Sequence, residues 1–255
     1  MTEKITGIVI DITRHSDKLS IVTLFTRTRG RLSFISPSGA GKAGRMRQAR
    51  LQPLAVIEAD INFKPTSELQ RLGNFNLSEV WTDLYFDPVK RTMALFLTEF
   101  LNRLLRATMP DENLWDYLLN SLRLFDRLRD GVADFHIAFL SSLLPFAGIQ
   151  PDPSDYSEGA FFDMQAGRFS KIHPPHNDAL SGEEARWAAT LSRINFSNVR
   201  ALRLNGGLRH NILEGILRYY AIHFPGTSNL KSLPVLHEIF SDTKSRGGGA
   251  APGVR

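Results

Sequence analysis

Through roughly the first eighty positions apolar residues alternate with polar ones, and after that they recur at helical spacing. Ile8, Ile10 and Ile12 alternate with Val9 and Asp11, and KLSIVTLFT over residues 18–26 repeats the β-branched style. RLSFIS over residues 31–36 alternates again, with Leu32 and Phe34 on one face. Arg29-Gly30 between these two runs is a tight-turn signal. Leu54–Ile61 and Leu69–Glu79 supply two further strands. SPSGAGKAG over residues 36–44 reads as a flexible loop, and Arg45–Arg50 continues it with positive charge. Five short strands with no helical pattern long enough to interrupt them predict a small β-barrel, closed or half-open.

Asp87-Pro88 marks the change of character, because Asp caps a helix and Pro suits its first turn. Met93, Phe96, Leu97, Phe100, Leu101, Leu104 and Leu105 follow at helical spacing. Pro110-Asp111-Glu112 opens a second helix carrying Leu114, Leu118, Leu122, Phe125 and Leu128. A third runs from Val132 to about Phe146, stopped by Gly148. Residues 152–177 read as a loop with Pro153, Gly159, Gly167, Pro174 and Pro175. Ser181-Gly182-Glu183-Glu184 reads as a capping box opening a helix toward Ile194. A last helix spans Leu208 to about His223, ended by Pro225-Gly226. The expected class is α+β, multidomain: a barrel over 1–80, a helical domain over 81–240 with a loop-rich insertion at 150–180, and a disordered tail over 241–255.

Composition narrows the chemistry. Apolar content of 42% and charged content of 22% in 255 residues are globular values. No Cys is present, which removes disulfides, thiolate nucleophiles and Cys-liganded zinc. The N-terminus has Glu3, Lys4 and Asp11 among its apolar residues and does not read as a signal peptide. The most apolar stretch, Ile137 to Ile149, is too short for a membrane span. A soluble, cytoplasmic protein without a membrane partner is expected.

Charge is distributed unevenly. Between Lys18 and Ile57 there is no Asp or Glu, and eight basic residues: Lys18, Arg27, Arg29, Arg31, Lys42, Arg45, Arg47 and Arg50. Subtracting these eight charges from the overall +5 leaves the rest of the chain at −3. Such a one-signed block points to a polyanion, whose condensed counterions it displaces; the competing reading is a solvated face that maintains solubility.

Motifs for catalysis are lacking. Gly39-Ala-Gly-Lys-Ala-Gly44 resembles a phosphate loop, but it lacks the GK[ST] ending of a Walker motif, its last Gly being followed by Arg45, and a basic stretch then a strand come next. His173 and His176 in HPPH sit in an extended segment with no Cys to complete a metal site. Asp83, Asp87, Glu99, Asp111, Glu112 and Asp116 fall largely at helix starts, where carboxylates favour the dipole. No catalytic residue, cofactor or metal ligand is assigned, and no enzymatic turnover is expected. Trp81, Phe96, Phe100, Trp115, Phe125, Phe135 and Phe139 belong to apolar helix faces, whereas Phe25 and Phe34 lie on strands in the basic window, where a ring either fills the barrel or stacks on a base.

The opening GIVIDITRHSDKLSIVTLFTRTRGRLSFIS, the basic segment GKAGRMRQARLQPLAVIE and the helix RTMALFLTEFLNRLL together resemble the bacterial RecO recombination mediators of DNA repair. The resemblance covers the chain to about Gly148 and returns from Asn198 to Phe224; Asp17–Gly30, the basic segment and Gln52-Pro53-Leu54 carry it. It implies an N-terminal OB barrel followed by an α-helical domain. It also implies binding of single- and double-stranded DNA, ATP-independent annealing of complementary strands, and work with RecR. Together these would help RecA onto DNA coated by the single-stranded DNA-binding protein, whose tail docks on the helical domain of some members. The family's positive barrel residues carry over onto Arg27, Arg29, Arg31, Lys42, Arg45, Arg47 and Arg50, the loop by position and charge. Many members hold a four-Cys zinc site where this chain has Tyr156-Ser-Glu-Gly159 and Lys171-Ile-His-Pro-Pro-His176, so packing through Phe161, Phe162 and Phe169 is expected to replace it. Two other readings fit the residues: a helical scaffold whose basic barrel meets an acidic protein, and an RNA-binding barrel.

Overall fold

The computed structural model describes residues 2–38, 41–107, 109–194 and 204–246. The chain divides into two compact units at Arg127/Leu128.

The first unit holds a six-stranded sheet in the order β5-β3-β2-β1-β4-β6, formed by β1 (Thr2–Arg14), β2 (Leu19–Thr26), β3 (Gly30–Pro37), β4 (Val56–Asn62), β5 (Leu69–Arg71) and β6 (Phe75–Leu77). Neighbours pair antiparallel except β5, which runs parallel to β3. It also lies against β4, so the sheet curls into the five-stranded barrel of an OB fold. The run expected as one strand from Leu69 to Glu79 is therefore two short strands, broken at Leu72-Gly73.

The β1 alternation also differs from expectation. Val9 pairs with Leu24 and Asp11 with Thr23, so Ile10 is the extra residue of a β-bulge. The bulge resets the pleat. Ile8 and Ile10 are buried, but Ile12, opposite Val22, is 38% exposed at the strand's end. The barrel core is Ile5, Val9, Val22, Leu24, Phe34, Ile57, Ala59, Ile61 and neighbours. β1 is buried on its other side too, because α2 (Pro88–Leu104) packs against it. Phe25, opposite Ile8, stacks 6.5 Å from Trp115 of α3 (Glu112–Arg127).

Both helix starts follow their sequence signals. Asp87 Oδ1 accepts from the Val89 and Lys90 amides at 2.8 and 3.0 Å, and Asp111 Oδ1 from those of Asn113 and Leu114 at 2.8 and 3.1 Å. The end of α3 is fastened by Asp126. Its carboxylate accepts from the amides of Thr82, Asp83 and Leu84 and from the Thr82 hydroxyl, at 2.8–3.0 Å. Lys90 Nζ, buried beside it, donates to the Asp126 carbonyl at 2.8 Å.

A helix interrupts the strands after all. α1 (Lys42–Arg50) stands where a basic loop was expected. It has no buried residue and hence no apolar stripe to read, yet Ala43, Met46, Gln48 and the arginines are good helix formers.

The second unit contains a 3-10 turn at Val132–Asp134, α4 (Phe135–Leu143), a small sheet in the order β8-β7-β9, and three further helices. The sheet comprises β7 (Phe161–Asp163), β8 (Arg168–Ser170) and β9 (Ala179–Leu180), so the segment read as loop carries structure of its own. Strands of two or three residues give too little periodicity to be seen in sequence. Of the three rings expected to pack where a four-Cys site is absent, Phe162 and Phe169 are buried, 4.9 Å apart, with Phe162 5.3 Å from Tyr219, whereas Phe161 is half-buried and packs against His173. Gly167 (φ +67°) turns β7 into β8 in the left-handed region that favours glycine, and an added Cβ would lie 2.9 Å from Tyr219 Oη, so a side chain there is strained and displaces the Tyr219 hydroxyl.

α5 (Gly182–Leu191) begins after Ser181, but the Ser181 side chain makes no capping hydrogen bond, because Gly182 at φ +54° interrupts the box. α6 (Gly206–His223) is capped by Asn205, and Tyr220 Oη donates to the Leu140 carbonyl at 2.8 Å. α7 (Leu233–Arg246) was not foreseen; the rest of the expected tail, 247–255, lies outside the described residues, as does 195–203 within the second stretch of family resemblance.

Candidate nucleic-acid interface

The β2–β3 register sorts the eight basic residues into two groups. Leu19 pairs with Pro37 and Thr26 with Gly30, so Lys18 and Arg27 flank opposite ends of β2. At about 3.3 Å per residue these ends are roughly 30 Å apart. Lys18 lies beside Ser38, whose amide donates to the Lys18 carbonyl at 2.8 Å, on the side where the chain leads into α1. Arg27, Arg29 and Arg31 sit at or just after the far turn. The structure thus does not bring all eight together.

At the turn, Gly30 adopts φ +65°, and Thr26 Oγ1 donates to the Gly30 carbonyl at 2.7 Å while accepting from the Arg29 amide. Arg29 grips Glu3 with two bonds of 2.5 and 2.7 Å and lies 3.9 Å over the Phe63 ring. The Arg29 hydrogen bond, more than its charge, holds the Glu3 carboxyl below the usual carboxylate range. Arg27 Nε lies 3.5 Å from Glu112. Arg31 Nη1 donates to Oδ1 and the carbonyl of Asn102. Burial pulls the Arg31 guanidinium below its ordinary value, and it remains charged. These three arginines have intramolecular partners that an incoming anion must displace or share.

At the α1 end the charges face outward. Lys18, Lys42, Arg45 and Arg50 are exposed. The first turn of α1 has no acidic residue, so its positive dipole end adds to the field of Lys42. Arg47 is the exception. It reaches back to Ser36 Oγ at 2.9 Å and to the Leu72 and Gly73 carbonyls at 2.8 and 2.6 Å, and lies 4.7 Å from the Phe75 ring. Arg47 seats the helix on the barrel. Beside α1 runs a groove of about 390 Å³ lined by Arg14 and its partner Asp17, by Ser20, Ser36, Ser38, Arg45 and Gln48, and by the apolar Ile12, Pro37 and Leu51. Cations and hydroxyls along one groove suit phosphate oxygens. The sequence reading missed Arg14 because Asp17, to which it is bonded at 2.6 Å, ends the acid-free window. The serines carried no charge signal.

Against known families, the chain matches "Recombination protein O N terminal" over residues 1–81 and "Recombination protein O C terminal" over residues 85–234. It is 34% identical to "DNA repair protein RecO" of Phocaeicola vulgatus, across 94% of this chain and 100% of that protein. The protein of the same name from Porphyromonas gingivalis is 32% identical, across 92% and 97%, and that of Flavobacterium psychrophilum 28% identical, across 94% and 100%. The chain belongs to the RecO family.

The Gln52-Pro53-Leu54 triplet that marks the RecO resemblance has a structural task here. Leu54 holds φ +62°, which a leucine adopts only under constraint. The constraint is visible: the Leu54 amide donates to Val9 O, the Ala55 carbonyl accepts from the Val9 amide, Trp81 Nε1 donates to Leu54 O, and Tyr85 Oη to Pro53 O. The triplet clasps the β1 bulge and seats the aromatics that lead into the RecO helical region.

Other candidates find different uses. Phe25 and Phe34 are 0% exposed, so neither ring is available for stacking on a base. Trp81, Phe96, Phe100, Trp115, Phe125, Phe135 and Phe139 are buried, as expected. The acids considered for a two-metal site are dispersed: Asp87 and Asp111 cap helices, Glu99 pairs with Arg103, and Asp83 faces Lys90 at 3.4 Å. His173 packs edge-on against Phe161, and His176 Nε2 lies 3.3 Å from Asp163. Among the described residues no helix is long and apolar enough to cross a membrane.

Proposed function

We propose that this chain is a DNA repair protein acting as a non-enzymatic recombination mediator. Residues 1–80 bind single- and double-stranded DNA, and the protein anneals complementary strands and, with RecR, helps load RecA onto DNA covered by the single-stranded DNA-binding protein. Family membership supports the repair role. The observation that carries the binding reading is the outward-facing set Lys18, Lys42, Arg45 and Arg50 beside a groove lined with hydroxyls.

The physical task is charge screening. Two complementary strands repel through their phosphates, and a basic surface holding both lowers the barrier to pairing without a chemical step. Because Lys18, Lys42, Arg45 and Arg50 are exposed, the α1 end is the primary contact and the turn a secondary one.

The test is an annealing assay without ATP on the purified protein. K42A/R45A/R50A is expected to slow annealing at least about tenfold, since each phosphate contact contributes to the electrostatic term. Annealing that persists unchanged places the activity elsewhere. Parallel titrations with RNA and an acidic polypeptide separate the rival readings, and either one binding more tightly than DNA overturns the assignment.

A further inference from the structure

Outside the barrel, one group of side chains in the second unit stands in an arrangement that the repair role does not use. His210 and Glu214 are four residues apart on α6 and so share a face of that helix. His237 projects from α7 toward them: its ring centroid lies 4.5 Å from that of His210, edge to face at 64°, and its Nε2 lies 3.6 Å from Glu214 Oε1. One donor atom from each of the three lies within 4.8 Å of the other two. His210 and His237 border a cavity of about 430 Å³ that also meets His136, Arg209 and Phe240.

We propose that His210, Glu214 and His237 form a binding site for a divalent transition metal, zinc foremost, that cross-links α6 to α7. Two imidazoles and one carboxylate are the donor set of a tetrahedral site with one place left for water. Zinc bonds of about 2.0–2.1 Å put neighbouring ligand atoms roughly 3.3 Å apart. Rotations of exposed side chains cover the difference from the observed spacing, and His210 and Glu214 are both exposed. Hard cations are a poor match, because magnesium and calcium take six or more oxygens and this cluster offers one carboxylate.

Arg209, which lines the same cavity, already has its own carboxylate partner. Arg209 Nε is bonded to Asp134 Oδ1 at 2.7 Å, both side chains are largely buried, and its guanidinium lies 5.4 Å from the Phe240 ring. That pair is closed on itself. The site also differs from the HPPH segment, whose histidines pack against Phe161 and Asp163 of β7. Its function is mechanical: α7 is the last described element, and a shared ion would add a coordination tie between it and α6.

The experiment uses the full chain without an affinity tag, titrated with zinc by calorimetry and with cobalt by visible absorption. One equivalent of metal and a tetrahedral cobalt spectrum are expected. H210A/H237A is expected to weaken binding at least about tenfold, because even loss of a supporting residue around a metal commonly has that effect. E214Q, on an exposed face where folding is not at issue, is expected to weaken it in the same direction, while H173A/H176A binds as the unaltered chain does. Circular dichroism establishes that each variant is folded. No uptake of zinc or cobalt by the unaltered protein overturns the proposal, as does undiminished binding in folded H210A/H237A or in E214Q, or a loss confined to H173A/H176A.

Discussion

Arg31 Nη1 donates to Oδ1 of Asn102 at 2.6 Å and to its carbonyl at 3.0 Å, fastening barrel strand β3 to helix α2. A residue counted among the cations of the basic window therefore has a role in the fold. Arg31→Ala is expected to lower unfolding stability by about 1–3 kcal/mol, the range for charged hydrogen bonds at a half-buried site. Arg50→Ala, on the exposed end of α1, is expected to leave stability within about 0.5 kcal/mol. Urea unfolding of the two variants checks this contrast, and equal midpoints would refute it.

If the α1 end binds DNA as proposed, salt dependence reports how many phosphates it engages. If Lys18, Lys42, Arg45 and Arg50 each meet one, the slope of log affinity against log salt for single strands is about −2.8. Raising salt from about 50 to 200 mM then weakens binding about fiftyfold. K42A/R45A/R50A should flatten the slope by about two units, equally for unrelated sequences. A loss restricted to one sequence in gel-shift titrations would show base reading and not backbone gripping.

Asp126 ties three successive amides and a hydroxyl to the end of α3. Burial alone would raise its carboxyl, but the bonds from Thr82, Asp83 and Leu84 outweigh burial and lower it from 3.8. A lowered folded value means the stabilisation is complete above the unfolded value and is lost as pH falls through the folded one. Asp126→Asn should cost about 2–4 kcal/mol at neutral pH. It should also make stability fall less steeply below about pH 4, measured as urea midpoints across the acid range.

His136 in the second unit is fully buried. Burial first, then the charges of Arg209 and His237, lowers its imidazole to about 3. The unfolded chain takes up this proton well before the folded one does. Stability should therefore fall as pH drops below about 6.5, by up to about 1.4 kcal/mol per pH unit from this group. His136→Phe keeps a ring against Phe240, 5.5 Å away, and removes that slope. An unchanged pH profile in the variant would assign the acid sensitivity to other groups.

The sequence announced whatever rests on periodicity or local chemistry. Blocks of Val, Ile and Phe marked the main strands, Asp87 and Asp111 their helices, and Arg29-Gly30 its turn. What escaped had no stripe or depended on distant partners. α1 buries nothing, β7 to β9 are too short to alternate, and the Ile10 bulge leaves the composition of β1 unaltered. The eight cations were visible as a block along the chain, but the hairpin register that parts them, and the Asn102 and Glu3 partners of Arg31 and Arg29, exist only in three dimensions. The pairing of His210 and Glu214 with His237 was hidden for the same reason, since α7 carries the third donor.

Arg47 gives α1 an unusual mooring. The helix rides on the barrel through a guanidinium hooked over the Leu72 and Gly73 carbonyls. A phosphate offers the same guanidinium another oxygen acceptor, and a phosphate chain that drew Arg47 outward would cast off the very segment bearing Lys42, Arg45 and Arg50. On the proposed reading, how firmly a strand is held and how firmly that segment stays docked would be opposed.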